Sequence, residues 1–288
     1  MQKKIVLILT LLFSVVLKFS ELNAQVNKNI TLDTSVNYLV KLADKSEFVG
    51  KYLEKTPDYL VFRTAAIARL QIQFERIASI QELNPATMKG NVYWSPNPRP
   101  TNYFFWPSAI NLKKGEGYYQ NNMLFLNSAH YGITDNISVG GGVELLTLFS
   151  GTPVLFFTPK ITFPVGKNFH TGGGLLLFTV PDEGSAGFLY GSATMGSIEH
   201  NLSGSVGFGF AGSEFASTPL LNISGMTRVS RKLMLMSENW IIPVPDEVFT
   251  AFSFGIRFLG DKIAADVGLI FSPEAGVPFP IGGFSVKF

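Results

Sequence analysis

The sequence predicts an all-β chain, a transmembrane antiparallel up-and-down β-barrel of about 12 strands preceded by a small β domain. Three observations carry this reading. The chain has 288 residues, 46% of them hydrophobic and only 15% charged, with 26 Phe and 28 Gly, too apolar for an ordinary soluble domain. From Tyr118 onward apolar and small residues alternate with a period of two, the periodicity of a strand with one greasy face. After the first 25 residues no apolar run is long enough for a spanning helix, and in hydrocarbon the only other structure that satisfies its own backbone is a closed barrel.

The N-terminal stretch MQKKIVLILTLLFSVVLKFSELNAQ has Lys3 and Lys4, an apolar stretch from Ile5 to Leu17, and Ala24 before Gln25. This is the layout of a cleaved secretory signal, with cleavage expected after Ala24. The apolar stretch falls short of the roughly 20 residues of a membrane anchor.

Residues 25–84 carry more charge and read as a small domain of five strands: Tyr38 to Leu42, Glu47 to Leu53, Tyr59 to Thr64, Ala68 to Phe74, and Ile77 to Leu83. The polar turn ADKS, the strand EFVGKYLE after it and the closing ERIASIQEL resemble small SH3-like or Sm-like barrels. The resemblance implies the fold only. Sm-like proteins often bind RNA, but a secreted chain meets none, and a net charge of +2 without basic clusters carries no nucleic-acid footprint. Residues 85–100, with four prolines, read as a linker.

Residues 101–288 then supply the barrel. ISVGGGVEL, LSGSVGFGF, FSFGIRF and IAADVGLIF each set apolar residues against Gly, Ser or an isolated charge, which suits a lumen better than a solvated face. Tight turns at ITDN, VGKN, EHN, SRK and GDK alternate with looser stretches at FSGTP, PDEGSA, GSEFAST, PVPDE and SPEAGVP. Bacterial barrels keep short turns in the periplasm and longer loops outside, so the tight set is expected inside. Eleven strands follow between Tyr118 and Phe288, and Thr101 to Asn111 is expected to supply the twelfth.

The chain ends PFPIGGFSVKF, with Phe284, Val286 and Phe288 alternating with Ser285 and Lys287. This resembles the assembly signal of Gram-negative outer-membrane β-barrels. That family's location implies outer-membrane lipid and the barrel-insertion machinery as partners, with the small domain in the periplasm, open to a further protein partner.

Strand parity directs Glu144, Lys160, Arg228, Arg257, Asp266 and Lys287 toward the lumen. All but Glu144 lie near a tight turn or the terminus, so four cations and one carboxylate share one mouth and an open pore favours anions. Nine aromatics, Tyr103, Trp106, Tyr118, Tyr119, Tyr131, Phe163, Trp240, Phe258 and Phe288, fall near strand ends as an interfacial girdle does. No chemistry emerges. The chain has no cysteine. His130, His170 and His200 lack metal-ligand spacing, and VGGGVE and TGGGLLL lack the context of a phosphate or dinucleotide loop. No cofactor is expected. A small porin-like channel or solute-binding barrel is the leading function, ahead of a carrier of hydrophobic molecules or a structural adaptor that anchors the small domain.

Overall fold

The computed structural model describes residues 30–244 and 247–288; the leader and its cleavage after Ala24 lie outside them. The chain divides into two units, one ending at Trp94 and the other running from Ser95 to Phe288.

In the first unit, five antiparallel strands, β1 (Asn37–Leu42), β2 (Glu47–Lys55), β3 (Tyr59–Arg63), β4 (Leu70–Gln73) and β5 (Ile77–Leu83), form one sheet in the order β4-β3-β2-β1-β5. Alternation puts Tyr38, Val40, Leu60, Phe62 and Ile72 into one core, where Phe48 meets the Phe62 ring edge-on at 5.6 Å. The turn between β1 and β2 is set by Asp44, whose carboxylate accepts from the Ser46 hydroxyl at 2.6 Å and the Ser46 amide at 2.9 Å. Those bonds hold the Asp44 carboxyl below its usual range. Residues 85–100 are divided between the units. A 3-10 turn at Pro85–Thr87 and the paired strands β6 (Met88–Lys89) and β7 (Val92–Tyr93) belong to the first, and Ser95 to Pro100 to the second.

The second unit is a closed antiparallel barrel of 12 strands. In order these are β8 (Gly117–Asn122), β9 (Leu126–Gly132), β10 (Ile137–Glu144), a fourth position shared by β11 (Leu155–Phe157) and β12 (Lys160–Gly166), β13 (Phe169–Val180), β14 (Gly184–Gly196), β15 (His200–Ala211), β17 (Leu220–Ser230), β18 (Leu233–Val244), β19 (Glu247–Leu259), β20 (Ile263–Phe271) and β21 (Phe279–Lys287). The short β16 (Glu214–Phe215) folds back on β15, and the helix α1 (Leu145–Ser150) interrupts the chain between β10 and β11. The seam closes where β21 pairs with β8, from Gly283 opposite Asn122 to Lys287 opposite Tyr118, and the Phe288 amide donates to Gly117 O at 2.9 Å.

The strands are found differently from expectation at one place. Residues 118–132 are two strands, because Met123 and Leu124 both take left-handed conformations, φ 54° and 66°, and turn the chain. Such turns ordinarily carry Asn or Gly at these positions; two apolar residues there disguise the turn as strand. This hairpin provides the twelfth strand. Thr101 to Asn111 is therefore not in the wall.

Alternation decides the two faces. Phe254, Leu189 and Val267 point outward and are more than half exposed, while Ser224, Ser253 and Thr194 point inward and are buried. An apolar exterior around a polar interior is the arrangement of a barrel set in lipid. One rim carries the tight turns at 133–136, 167–168, 197–199, 231–232 and 260–262 with Gly117 and Phe288; the opposite rim carries 123–125, α1, 181–183, 212–219 and 272–278.

Candidate functional site: a lumen filled by its own chain

The segment from Ser95 to Leu112 enters the barrel at the turn rim, reverses inside, and leaves by the same rim. Pro96, Pro98, Pro100 and Pro107 remove four amide donors, so this stretch cannot sustain a ladder as a wall strand. It folds on itself instead. Ser108 N donates to Thr101 O at 2.8 Å and Tyr103 N to Trp106 O at 3.0 Å, leaving Phe104 and Phe105 at the tip. Tyr103, Trp106, Ser108 and Ala109 have no exposed surface at all.

Wall side chains satisfy the backbone of this plug. Arg257, fully buried, donates to Arg99 O at 2.7 Å, to Asn102 O at 3.2 Å and to Tyr103 O at 2.9 Å. Its Nε also bonds Asp266 Oδ1 at 2.7 Å, and Arg99 from the plug pairs with the other oxygen of the same carboxylate. Glu238 Oε2 accepts from Phe105 N at 3.0 Å and Trp106 N at 2.9 Å, while its Oε1 accepts from the Trp240 indole at 3.0 Å. Lys160 donates to Ser108 O at 3.1 Å and Ile110 O at 2.8 Å. Arg228 reaches Ser95 O at 2.8 Å and Glu199 at 2.7 Å. Thr194 accepts from Ala109 N at 2.8 Å, and Asn122 donates to Phe104 O at 2.9 Å. Among the described residues, no backbone hydrogen bond joins 95–112 to the wall.

Aromatic packing holds the tip. The Trp106 ring lies 4.7 Å from Trp240, 5.0 Å from Tyr190 and 6.2 Å from Phe188. Phe104 lies over Gly255 and Gly268, which face each other across β19 and β20. A Cβ would come within 2.7 Å of the ring at Gly255 and within 2.9 Å at Gly268. These strand glycines make a seat that any side chain would fill.

The candidate lumen residues thus have different fates. Lys160, Arg228, Arg257 and Asp266 are buried against the plug. Lys287 bonds Glu116 at 2.7 Å at the turn rim. Glu144 sits at the loop rim and caps α1, accepting from Leu146 N at 2.9 Å and Thr147 N at 2.7 Å. A mouth of exposed cations is not formed, because carbonyl and carboxylate oxygens answer all four. Phe284 and Phe288 are exposed on the barrel's outer face, Phe284 6.0 Å from the Tyr119 ring. The girdle needs correction: Tyr103, Trp106 and Tyr118 are fully buried in the lumen, and Trp240 packs against Trp106 there. Sequence reasoning missed Arg99, read as part of a linker, and Glu238, although Met234, Met236 and Glu238 share one parity.

Beside the plug remains a cavity of about 170 Å³. Its lining combines the aromatic side chains Phe156, Phe178, Phe188, Tyr190 and Trp240 with the polar Gln120, Ser128, His130, Ser138 and Lys160. His130 stacks on Tyr118 with ring centres 4.8 Å apart and bonds Ser128 at 3.1 Å, so this histidine faces the lumen. Among the described residues no cluster is built to hold a metal.

An apolar exterior, a closed 12-stranded wall and a lumen occupied by polar, charged and aromatic groups define the class as an outer-membrane β-barrel. No protein-family model matches the sequence, and no curated protein matches it in sequence. Among solved structures the chain is similar to the KdgM porin, with TM-score 0.46 and 6% identity over 60% of this chain and 98% of that one. It is similar also to the NanC porin, with TM-score 0.40 and 6% identity over 60% and 97%. An OmpT of Vibrio cholerae lacking loop L8 aligns at TM-score 0.34 and 10% identity over 88% and 96%.

Proposed function

We propose that this chain is a small-solute channel of the outer membrane, closed by its own segment 95–112 and opened when that segment leaves the lumen. One observation carries the reading. The plug is held wholly by side-chain contacts and by its internal turn, while all the ladder bonds of the wall run between wall strands. It can therefore be withdrawn without breaking the sheet. Its ends leave by the rim that also carries Gly117 and Phe288, so withdrawal proceeds toward that side, the periplasm in this assignment, where the small SH3-like domain resides. The partners are outer-membrane lipid around the barrel and the assembly machinery, which reads Phe284, Val286 and Phe288; the small domain is the site for a periplasmic protein partner. Catalysis has no place in this account.

The test uses the lack of native cysteine. Ala109→Cys with Thr194→Cys, across the 2.8 Å contact of these residues, allows the plug to be locked by a short thiol cross-linker. Planar-bilayer recordings of the full chain are expected to show openings that the cross-link abolishes and its cleavage restores. Openings indifferent to the lock would refute closure by the plug, and no openings in any state of the plug would leave the barrel as an anchor for the small domain.

A further inference from the structure

We infer that the cavity beside the plug is a binding site for a small aromatic carboxylate. Its volume, about 170 Å³, is close to that of the dry engineered cavity of about 150 Å³ that takes benzene. One six-membered ring with a small substituent fills such a space. The ring has its partners in Phe156, Phe178, Phe188, Tyr190 and Trp240, which offer faces and edges for offset or T-shaped contacts.

The charge comes from Lys160. Each of the other buried cations of the lumen has a carboxylate: Arg99 and Arg257 share Asp266, and Arg228 has Glu199. Glu238, the remaining buried carboxylate of the wall, is engaged with the amides of Phe105 and Trp106 and with the Trp240 indole. Among the described residues none places a carboxylate within ion-pair distance of Lys160, which is only 7% exposed. Its two bonds go to neutral carbonyls of Ser108 and Ile110, and an ammonium has a third hydrogen to give. A buried charge without a counter-ion is costly. A carboxylate entering the cavity supplies that counter-ion, and Ser128, Ser138 and the Gln120 amide on the same lining offer it further donors. A neutral ring would leave the ammonium unanswered, and an aliphatic acid would leave the aromatic faces unfilled. Leu126, Phe156 and Phe178, which also line the cavity, lie within three residues of the loop-rim connections, so the ring end of the site is nearer the loop rim.

This site shares the lumen of the proposed channel, but equilibrium binding does not require the plug to leave, so the two readings fail separately. The test is isothermal titration of the full chain in detergent with benzoate, benzamide and acetate, with quenching of tryptophan fluorescence as a second readout. Heat-modifiable migration certifies a closed barrel in every sample. Benzoate is expected to bind about tenfold or more tightly than benzamide or acetate, the worth of one charge-assisted hydrogen bond. Lys160→Met should abolish the preference, leaving benzoate bound no better than benzamide in the same variant. Ser138→Leu, which keeps the lysine and fills the space, should abolish both, and this variant with the selectivity series decides the matter if Lys160→Met does not fold. Benzoate bound no better than benzamide, bound as well by acetate-like chemistry alone, or bound undiminished after Ser138→Leu would each overturn the inference.

Discussion

Replacing Trp106 by Ala tests how firmly the plug is seated. The indole has no exposed surface and touches Trp240, Tyr190 and Phe188, and its Nε1 has no hydrogen-bond partner, so the loss is one of packing alone. Truncating a buried Trp to Ala costs about 3–5 kcal/mol. Because the wall strands pair with one another and not with the plug, this cost falls on docking of the segment, which at about 1.4 kcal/mol per decade raises the undocked fraction by roughly 10²-fold to a few thousandfold. The assay is thiol labelling. Ser108 is fully buried in the docked plug, and in a chain without cysteine a Ser108→Cys substitution gives one reporter. When docking and undocking outpace the reagent, the labelling rate follows the undocked population, as proteolysis of open states does. Labelling in the Trp106→Ala background is expected to accelerate by that factor, with heat-modifiability unchanged. A rate within about threefold of the parent would refute the argument that the aromatic cluster holds the plug.

Two other outcomes follow from the same packing. Asp266→Asn leaves Arg99 and Arg257 buried together without their carboxylate, a loss of about 3–5 kcal/mol; the midpoint of urea unfolding should drop, and adding Arg99→Met should recover part of the loss. Gly268→Ala puts a methyl group 2.7 Å from Phe254 O of the neighbouring strand and 2.9 Å from the Phe104 ring, overpacking wall and seat together by about 1–3 kcal/mol, so Ser108→Cys labelling should accelerate and the midpoint of urea unfolding should drop.

The barrel was legible because its signal is local. A period of two over LSGSVGFGF and IAADVGLIF needs no knowledge of the partner strand, and the turns EHN, SRK and GDK mark reversals by their own chemistry. The hairpin at Met123 and Leu124 was illegible for the converse reason: tertiary pairing of β8 with β21 imposes left-handed conformations on residues that do not seek them. The plug escaped for a different cause. Aromatics such as Trp106 and Tyr118 belong equally to a membrane interface and to a filled lumen, and only the closed wall separates the two. Parity found Arg257 and Asp266, yet it could not reveal that their shared partner, Arg99, arrives from outside the sheet.

The plug's route into and out of a single rim has a mechanical meaning. A load applied through the chain at Ser95 meets its fastenings in series: Ser95 on Arg228, Asn97 on Met226, Arg99 on Asp266, then the aromatic tip. Fastenings loaded one after another peel, and the force needed is that of the strongest single one; loaded side by side they would shear, and their strengths would add. Geometry here selects peeling for any pull from the Ser95 end, and the Arg99–Asp266–Arg257 cluster is the catch at which such a pull would pause.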